Sequence, residues 1–200
     1  AMNHAEIEWV NPLSKDWDLG LNGEVQRKNA AVAKGALEAL DILGWGIDEY
    51  TIRTGFATAE WPGRLQTANW NNFPLVIDGA HNPHATKQLS KERVNWERQE
   101  LGVHWLLGIQ SQKEAPKMLK NLLKPCDKAW IVQVPNHRSW TIKELKEACP
   151  HLAKQLVQAQ EVEQVFKTLL AKGDWPTPPP VIAGSLYLIG DLLAKKTINT

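Results

Sequence analysis

The chain has 200 residues, a formal net charge of +1 and only two cysteines. Hydrophobic residues make up 43% and charged residues 22%, which excludes a disordered chain, and the near-balance of charge removes any general pull toward nucleic acid or an anionic membrane. No apolar run approaches the ~20 residues of a membrane span. The start AMNHAEIEWV has no apolar signal core, and Cys126 and Cys149 lack metal-ligand spacing, so both read as reduced thiols of a cytosolic protein.

In chain order, the stretch from Ala1 to about Gly20 reads as an isolated strand on Ile7, Trp9 and Val10 followed by a loop. A helix is predicted from Glu24 to Leu43, with Val25, Val32, Ala33, Ala36, Leu37, Leu40 and Leu43 on one apolar face and Gly44 as its stop. A second helix starts at the N-cap Asp48. From Trp61 the character changes. Phe73–Ile77 is a continuous apolar run, as in a strand covered on both faces. Asn82 caps the next helix, and Pro83 suits its first position. A strand Val103–Leu107, a helix Ala115–Leu123 and a strand Ala129–Val134 follow. Thr141 and Glu144 have the spacing of a capping box. A weaker strand at Leu156–Ala159, a helix Val162–Ala171, a strand Val181–Ala183 and a last helix after Ser185 complete the chain. The ten tryptophans, scattered without a period, read as core and rim residues.

Alternating strands and helices predict an α/β fold, a doubly wound, mostly parallel sheet flanked by helices and preceded by a helical remnant. The predicted domains are residues 1–60 and 61–200. In such sheets ligands sit at the carboxyl ends of the strands. The loops there carry Asp78–Asn82, Gly108–Lys113, Pro135–Arg138 and Gly184–Ser185. DGAHNP is the most informative segment. Its glycine lets backbone approach a ligand, its histidine exchanges protons near neutral pH, and its helix start favours an anion. The same residues also suit a capped strand–helix turn with a bystander histidine. Ser185 equally suits an N-cap, Asn29 a surface amide and Arg64 a solvated turn. Lys113 and Arg138 read as solvated loop charges. A Ser185–His81–Asp78 triad is disfavoured, because no G-x-S-x-G elbow surrounds the serine.

PGRLQ (Pro62–Gln66), DGAHNPHA (Asp78–Ala85) and AGSLYLIG (Ala183–Gly190) together resemble the carboxy-terminal domain of folylpolyglutamate synthase and dihydrofolate synthase, the folate members of the Mur ligase superfamily. LGLNGEVQRKNAAVA (Leu19–Ala33), LLGIQSQKE (Leu106–Glu114) and VPNHRSW (Val134–Trp140) fit the same pattern, with Lys113–Glu114 where Lys–Asp is usual. The resemblance implies a Rossmann-like carboxy-terminal domain behind the tail of a central ATPase domain. It also implies a cytoplasmic, monomeric, ATP- and magnesium-dependent ligase that joins L-glutamate to folate or dihydropteroate through an acyl phosphate. By motif it places Asn29 at the base of ATP, Arg64 on its phosphates and Asp78 on its ribose. It places His81 and Ser185 near the glutamate and the reacting carboxylate. Nucleic acid and membrane are not expected partners, and no metal ligand is expected in these 200 residues. No Gly–Lys dipeptide occurs, so the P-loop is expected upstream, and this stretch alone is expected to be inactive. The alternatives are a cell-wall Mur ligase domain and a non-catalytic nucleotide or amino-acid binding module.

Overall fold

The computed structural model describes residues 7–200, which divide into two units, one up to Pro62 and one over Gly63–Thr200. In the first, α1 (Glu24–Ile42) and α2 (Glu49–Ala57) form where the apolar periodicity places them. Asp48 caps α2, its carboxylate accepting from Thr51 N at 2.7 Å. Trp17 is the buried anchor, with the Arg53 guanidinium 3.9 Å from its ring centroid and Phe56 at 5.9 Å. Two expectations fail here. Ile7–Val10 forms no strand, because the described residues of the unit contain no other strand to pair with it, and Trp9 stands 92% exposed. Residues 1–6 of that stretch lie outside the described residues. The predicted apolar face of α1 is not buried within the unit: Val32 and Leu43 are exposed, and only Gln26 and Ala31 are buried on this helix.

The second unit is a six-stranded sheet in the order β1-β2-β6-β3-β4-β5. Its strands are β1 (Gln66–Trp70), β2 (Phe73–Ile77), β3 (His104–Leu107), β4 (Lys128–Ile131), β5 (Leu156–Gln158) and β6 (Val181–Ala183). All neighbours are parallel except β1, which pairs antiparallel with β2. The sequence reading missed β1. Its signal is Asn71–Asn72, both at positive φ (47° and 68°), the tight two-residue turn that joins hairpin strands. Asn199 pairs with Asn69, so the chain end covers part of this edge strand.

Helices α3 (Pro83–Glu92), α4 (Ala115–Leu122) and α5 (Ile142–Ala148) cover one face, and α6 (Val162–Leu170) and α7 (Leu186–Ala194) the other. Strand alternation divides the core between the faces. On β3, Trp105 and Leu107 pack with α4 and α5, while Leu106 packs with α6 and α7. The predicted caps form. Asn82 accepts from Ala85 N, and Thr141 and Glu144 make a complete capping box. Four of the ten tryptophans are buried, at 17, 70, 105 and 130, and three exposed ones, at 9, 45 and 61, all lie in the first unit.

At the amino ends of the strands a buried ion pair locks the second unit. The Asp127 carboxylate accepts from Arg93 Nη1 and Nη2 at 2.5 and 2.8 Å, from Val103 N at 2.8 Å, Lys124 N at 2.9 Å and Trp105 Nε1 at 3.1 Å. Burial by itself pushes this carboxyl upward, but the Arg93 guanidinium and the N–H donors outweigh it and hold the pKa below the ordinary value.

Arg93→Ala is therefore expected to destabilise the second unit by about 3–5 kcal/mol, since it strands a buried carboxylate. In the unaltered chain the Asp127 contribution is complete above the ordinary value of 3.8 and is lost as pH falls through its lowered value. Urea unfolding across the acid range checks both. A wild-type-like midpoint for Arg93→Ala at pH 7 would show that the pair carries no stability.

Candidate functional site

The carboxyl edge of the sheet is assembled by backbone contact. Gly79 N donates to Gly63 O at 2.6 Å, and Gly184 N donates to Ala80 O at 2.9 Å. Gly184 has φ +98°, and a Cβ there would sit 2.6 Å from the Gly108 carbonyl oxygen. Only glycine fits both demands. The segment ahead of β1, the β2–α3 turn, the end of β3 and the β6–α7 turn thus meet at one place.

Asp78 directly follows β2 and joins two of these segments. Its Oδ2 accepts from Leu65 N and its Oδ1 from Ala80 N, both at 2.9 Å. Burial pushes its pKa up, against the pull of those two N–H groups and of the nearby Arg64 charge, with Glu92 adding to the rise. Arg64 itself is exposed beside this turn. A carboxylate has about four acceptor positions, so two bonds leave Asp78 able to accept more.

His81 is half-buried, with Nδ1 2.8 Å from Gly79 O. A carbonyl has no proton to give, so Nδ1 carries the hydrogen, and Nε2 is the acceptor of the neutral ring. Ser185 is buried at 3% exposure, and its Oγ accepts from Leu188 N at 3.4 Å as the N-cap of α7. The capping role is therefore real. The hydroxyl proton makes no bond among the described residues, so the same oxygen retains a donor.

The loop beyond β4 also reaches this edge. Ser111 N donates to Arg138 O, Trp140 N to Ile109 O and Val134 N to the buried Ser139 Oγ, each at 2.9 Å. His137 meets the ring of Tyr187 at 4.2 Å between centroids. Tyr187 is exposed in the first turn of α7 and was not singled out from sequence. Its signal is its place in the AGSLYLIG motif, two residues after Ser185. Arg138 is 82% exposed and lies 3.7 Å from Glu144, as befits a solvated loop charge.

Arg64, Asp78, His81 and Ser185 are thus brought together in the second unit. Asn29 belongs to the first. Its Nδ2 donates to Gln26 Oε1 at 3.0 Å, and both amides line an otherwise apolar cleft of about 220 Å³ with Leu19, Leu21 and Phe56. Among the described residues no three His, Cys, Asp or Glu side chains gather as metal ligands. No helix there is long and apolar enough to cross a membrane.

The family described as the dihydrofolate synthetase C-terminal domain matches residues 63–195. Dihydrofolate synthetase of Saccharomyces cerevisiae is 30% identical over 194 residues, spanning 88% of this chain and 44% of that protein. E. coli FolC, solved in complex with DHPP and ADP, superposes with a TM-score of 0.66 at 25% identity, over 84% of this chain and 38% of that one. A bifunctional folylpolyglutamate synthase/dihydrofolate synthase solved with Mn, AMPPNP and L-glutamate gives 0.64 at 25% identity, over 80% and 38%. The chain spans less than half the length of each of these relatives. Because the match takes in the Asp78 turn, the Gly184–Ser185 turn and well over half of the residues, the chain belongs to the dihydrofolate synthetase carboxy-terminal domain family.

Proposed function

We propose that this chain is the carboxy-terminal part of an ATP-dependent ligase that adds L-glutamate to folate or dihydropteroate. Residues 1–60 would be the tail of its central ATPase domain and 61–200 its carboxy-terminal domain. The observation that carries the proposal is the Asp78 turn. It gathers a carboxylate with spare acceptor capacity, an exposed guanidinium and an imidazole with a fixed tautomer at the ligand edge of a family-matched sheet. The relatives solved with ADP and DHPP, and with AMPPNP, Mn and L-glutamate, support the ligand classes. The folate family match favours this reading over a cell-wall Mur ligase.

In this reading Asp78 accepts from the ribose hydroxyls of ATP. Arg64 offers forked donors to the phosphates. Asn29 is assigned to the base, for whose edge its amide offers both a donor and an acceptor. His81 Nε2 accepts from the ammonium of the incoming glutamate, and the Ser185 hydroxyl donates to a carboxylate oxygen. A divalent metal would spread charge on the transferring phosphoryl group. Among the described residues no side-chain cluster fits a metal site, and we assign the metal ligands and the P-loop to another part of a monomeric, cytoplasmic enzyme. Nucleic acid and membrane have no part in this reading.

Three outcomes are expected. The 200-residue chain alone releases no ADP with a folate substrate, for want of a phosphate cradle; ADP release above background would overturn this. In the full-length enzyme, Arg64→Ala and Asp78→Ala raise KM for ATP more than they lower kcat, since uniform binding is lost. The loss in kcat/KM is roughly 10- to 150-fold. Asp78→Ala also lowers Tm, because Leu65 N and Ala80 N lose their acceptor. His81→Ala leaves KM for ATP near wild type and impairs glutamate use. Kinetics varying ATP and glutamate separately decide, and the roles are wrong if His81→Ala raises the ATP KM while Asp78→Ala spares it.

A further inference from the structure

We propose that the crevice between the carboxyl ends of β4 and β5 is a second small-molecule site, suited to a zwitterionic amino acid or short peptide. The helix after β4, α5, lies on one face of the sheet, and the helix after β5, α6, lies on the other. Chain connections leaving on opposite faces open a crevice at the strand ends, which is where open α/β sheets bind ligands. The DGAHNP and Gly184–Ser185 turns line neither cavity there.

Two cavities of about 490 and 430 Å³ lie side by side in this crevice and share Gln133 and Gln160 as lining residues. Each is large enough for a small metabolite. They are polarised. In the first, Lys143 is the only charged lining residue and makes no ion pair among the described residues, while Ile131 and Ile142 supply apolar surface. The second is lined by three carboxylates, Glu161, Glu163 and Asp191, against one ammonium, Lys195. Glu163 is engaged by Lys167 at 2.9 Å and Asp191 by Lys195 at 2.8 Å. Glu161 has no ion pair among the described residues and makes no cap bond to α6.

Between the two charges stand the carboxamides of Gln133 and Gln160, which make no hydrogen bond among the described residues. Each offers a donor and an acceptor, the complement of a peptide or side-chain amide. A carboxylate belongs on the Lys143 side, an ammonium on the Glu161 side and an amide between them. A single anion would meet the carboxylates of the second cavity, and a single cation would leave Lys143 without a partner.

The test is a titration of the ¹⁵N-labelled 200-residue chain with L-glutamine and with glycyl-L-glutamine, followed by NMR to about 10 mM. The expected result is saturable shifts of the Gln133 and Gln160 side-chain amides. N-acetyl-L-glutamine and L-glutamine α-amide, each lacking one charge, should bind about tenfold more weakly. Lys143→Glu should abolish discrimination against the α-amide, and Glu161→Lys discrimination against the acetyl form. Both positions are exposed, so the variants keep the fold. Tighter binding of glycyl-L-glutamine would support the site with a short peptide as its occupant, and tighter binding of L-glutamine would support it with a free amino acid. Shifts confined to Gly79–Asn82 and Ser185, or no saturable shift with either ligand, would overturn the proposal.

Discussion

The carboxylate of Asp78 is the constraint on which the candidate site depends. It holds the N–H of Leu65 and the N–H of Ala80, groups from two segments separated by the whole β1–β2 hairpin. The Gly79–Gly63 bond seats the same Gly63–Leu65 turn beside the end of β2. Arg64 is carried on the clamped turn, and His81 follows directly from it. Glycine then permits the next level of approach, with Gly184 N reaching Ala80 O and leaving no room for a Cβ against Gly108. One carboxylate and a few missing methyl groups therefore bring separate loops to one edge.

Two buried carboxylates divide the labour of the second unit. Asp127, at the amino ends of β3 and β4, has five donors, two of them from a guanidinium buried with it. It is saturated, and its ionised form is favoured by the fold. Asp78, at the carboxyl ends, has two neutral donors and a rim-exposed arginine nearby, and burial pushes its pKa up. Its ionised form costs free energy that the fold does not recover internally. A further donor, such as a ligand hydroxyl, would relieve that cost, because hydrogen bonding to the charged form favours it. A saturated carboxylate serves the fold, and an under-bonded one is able to serve binding.

Much of this was legible in the sequence. β2 runs over Phe73–Ile77 as read, and helices open at Asp48, Asn82, Thr141 and Ser185, because caps are local chemistry. Asp78, His81 and Ser185 could be singled out as candidates because motif and strand end coincide there. What was missed was non-local. β1 reads as the polar run QTANW and becomes a strand only through its pairing with β2. The apolar stripe of α1 was read correctly as a pattern, but nothing in a periodicity says what covers it. The Asp127–Arg93 pair joins residues 34 apart and left no local trace. Tyr187 is brought beside His137 by the sheet order, which the sequence does not state.

The readings of DGAHNP and GSL as caps and as chemistry turn out not to compete. Asn82 accepts from Ala85 N and starts α3, and Ser185 accepts from Leu188 N and starts α7. Each follows a glycine-containing turn at the end of a strand, where the helix must begin at once if the next segment is to pack on its own face. A short polar side chain is the economical way to begin it, since it bonds the first free N–H groups. The same position places that side chain at the carboxyl edge, where an open sheet receives ligands. Fold and site therefore select the same residue types at the same places. A loss of stability at Asp78 or Ser185 is accordingly no argument against a role in binding: at this edge the groups that would hold the substrate are also the groups that hold the chain.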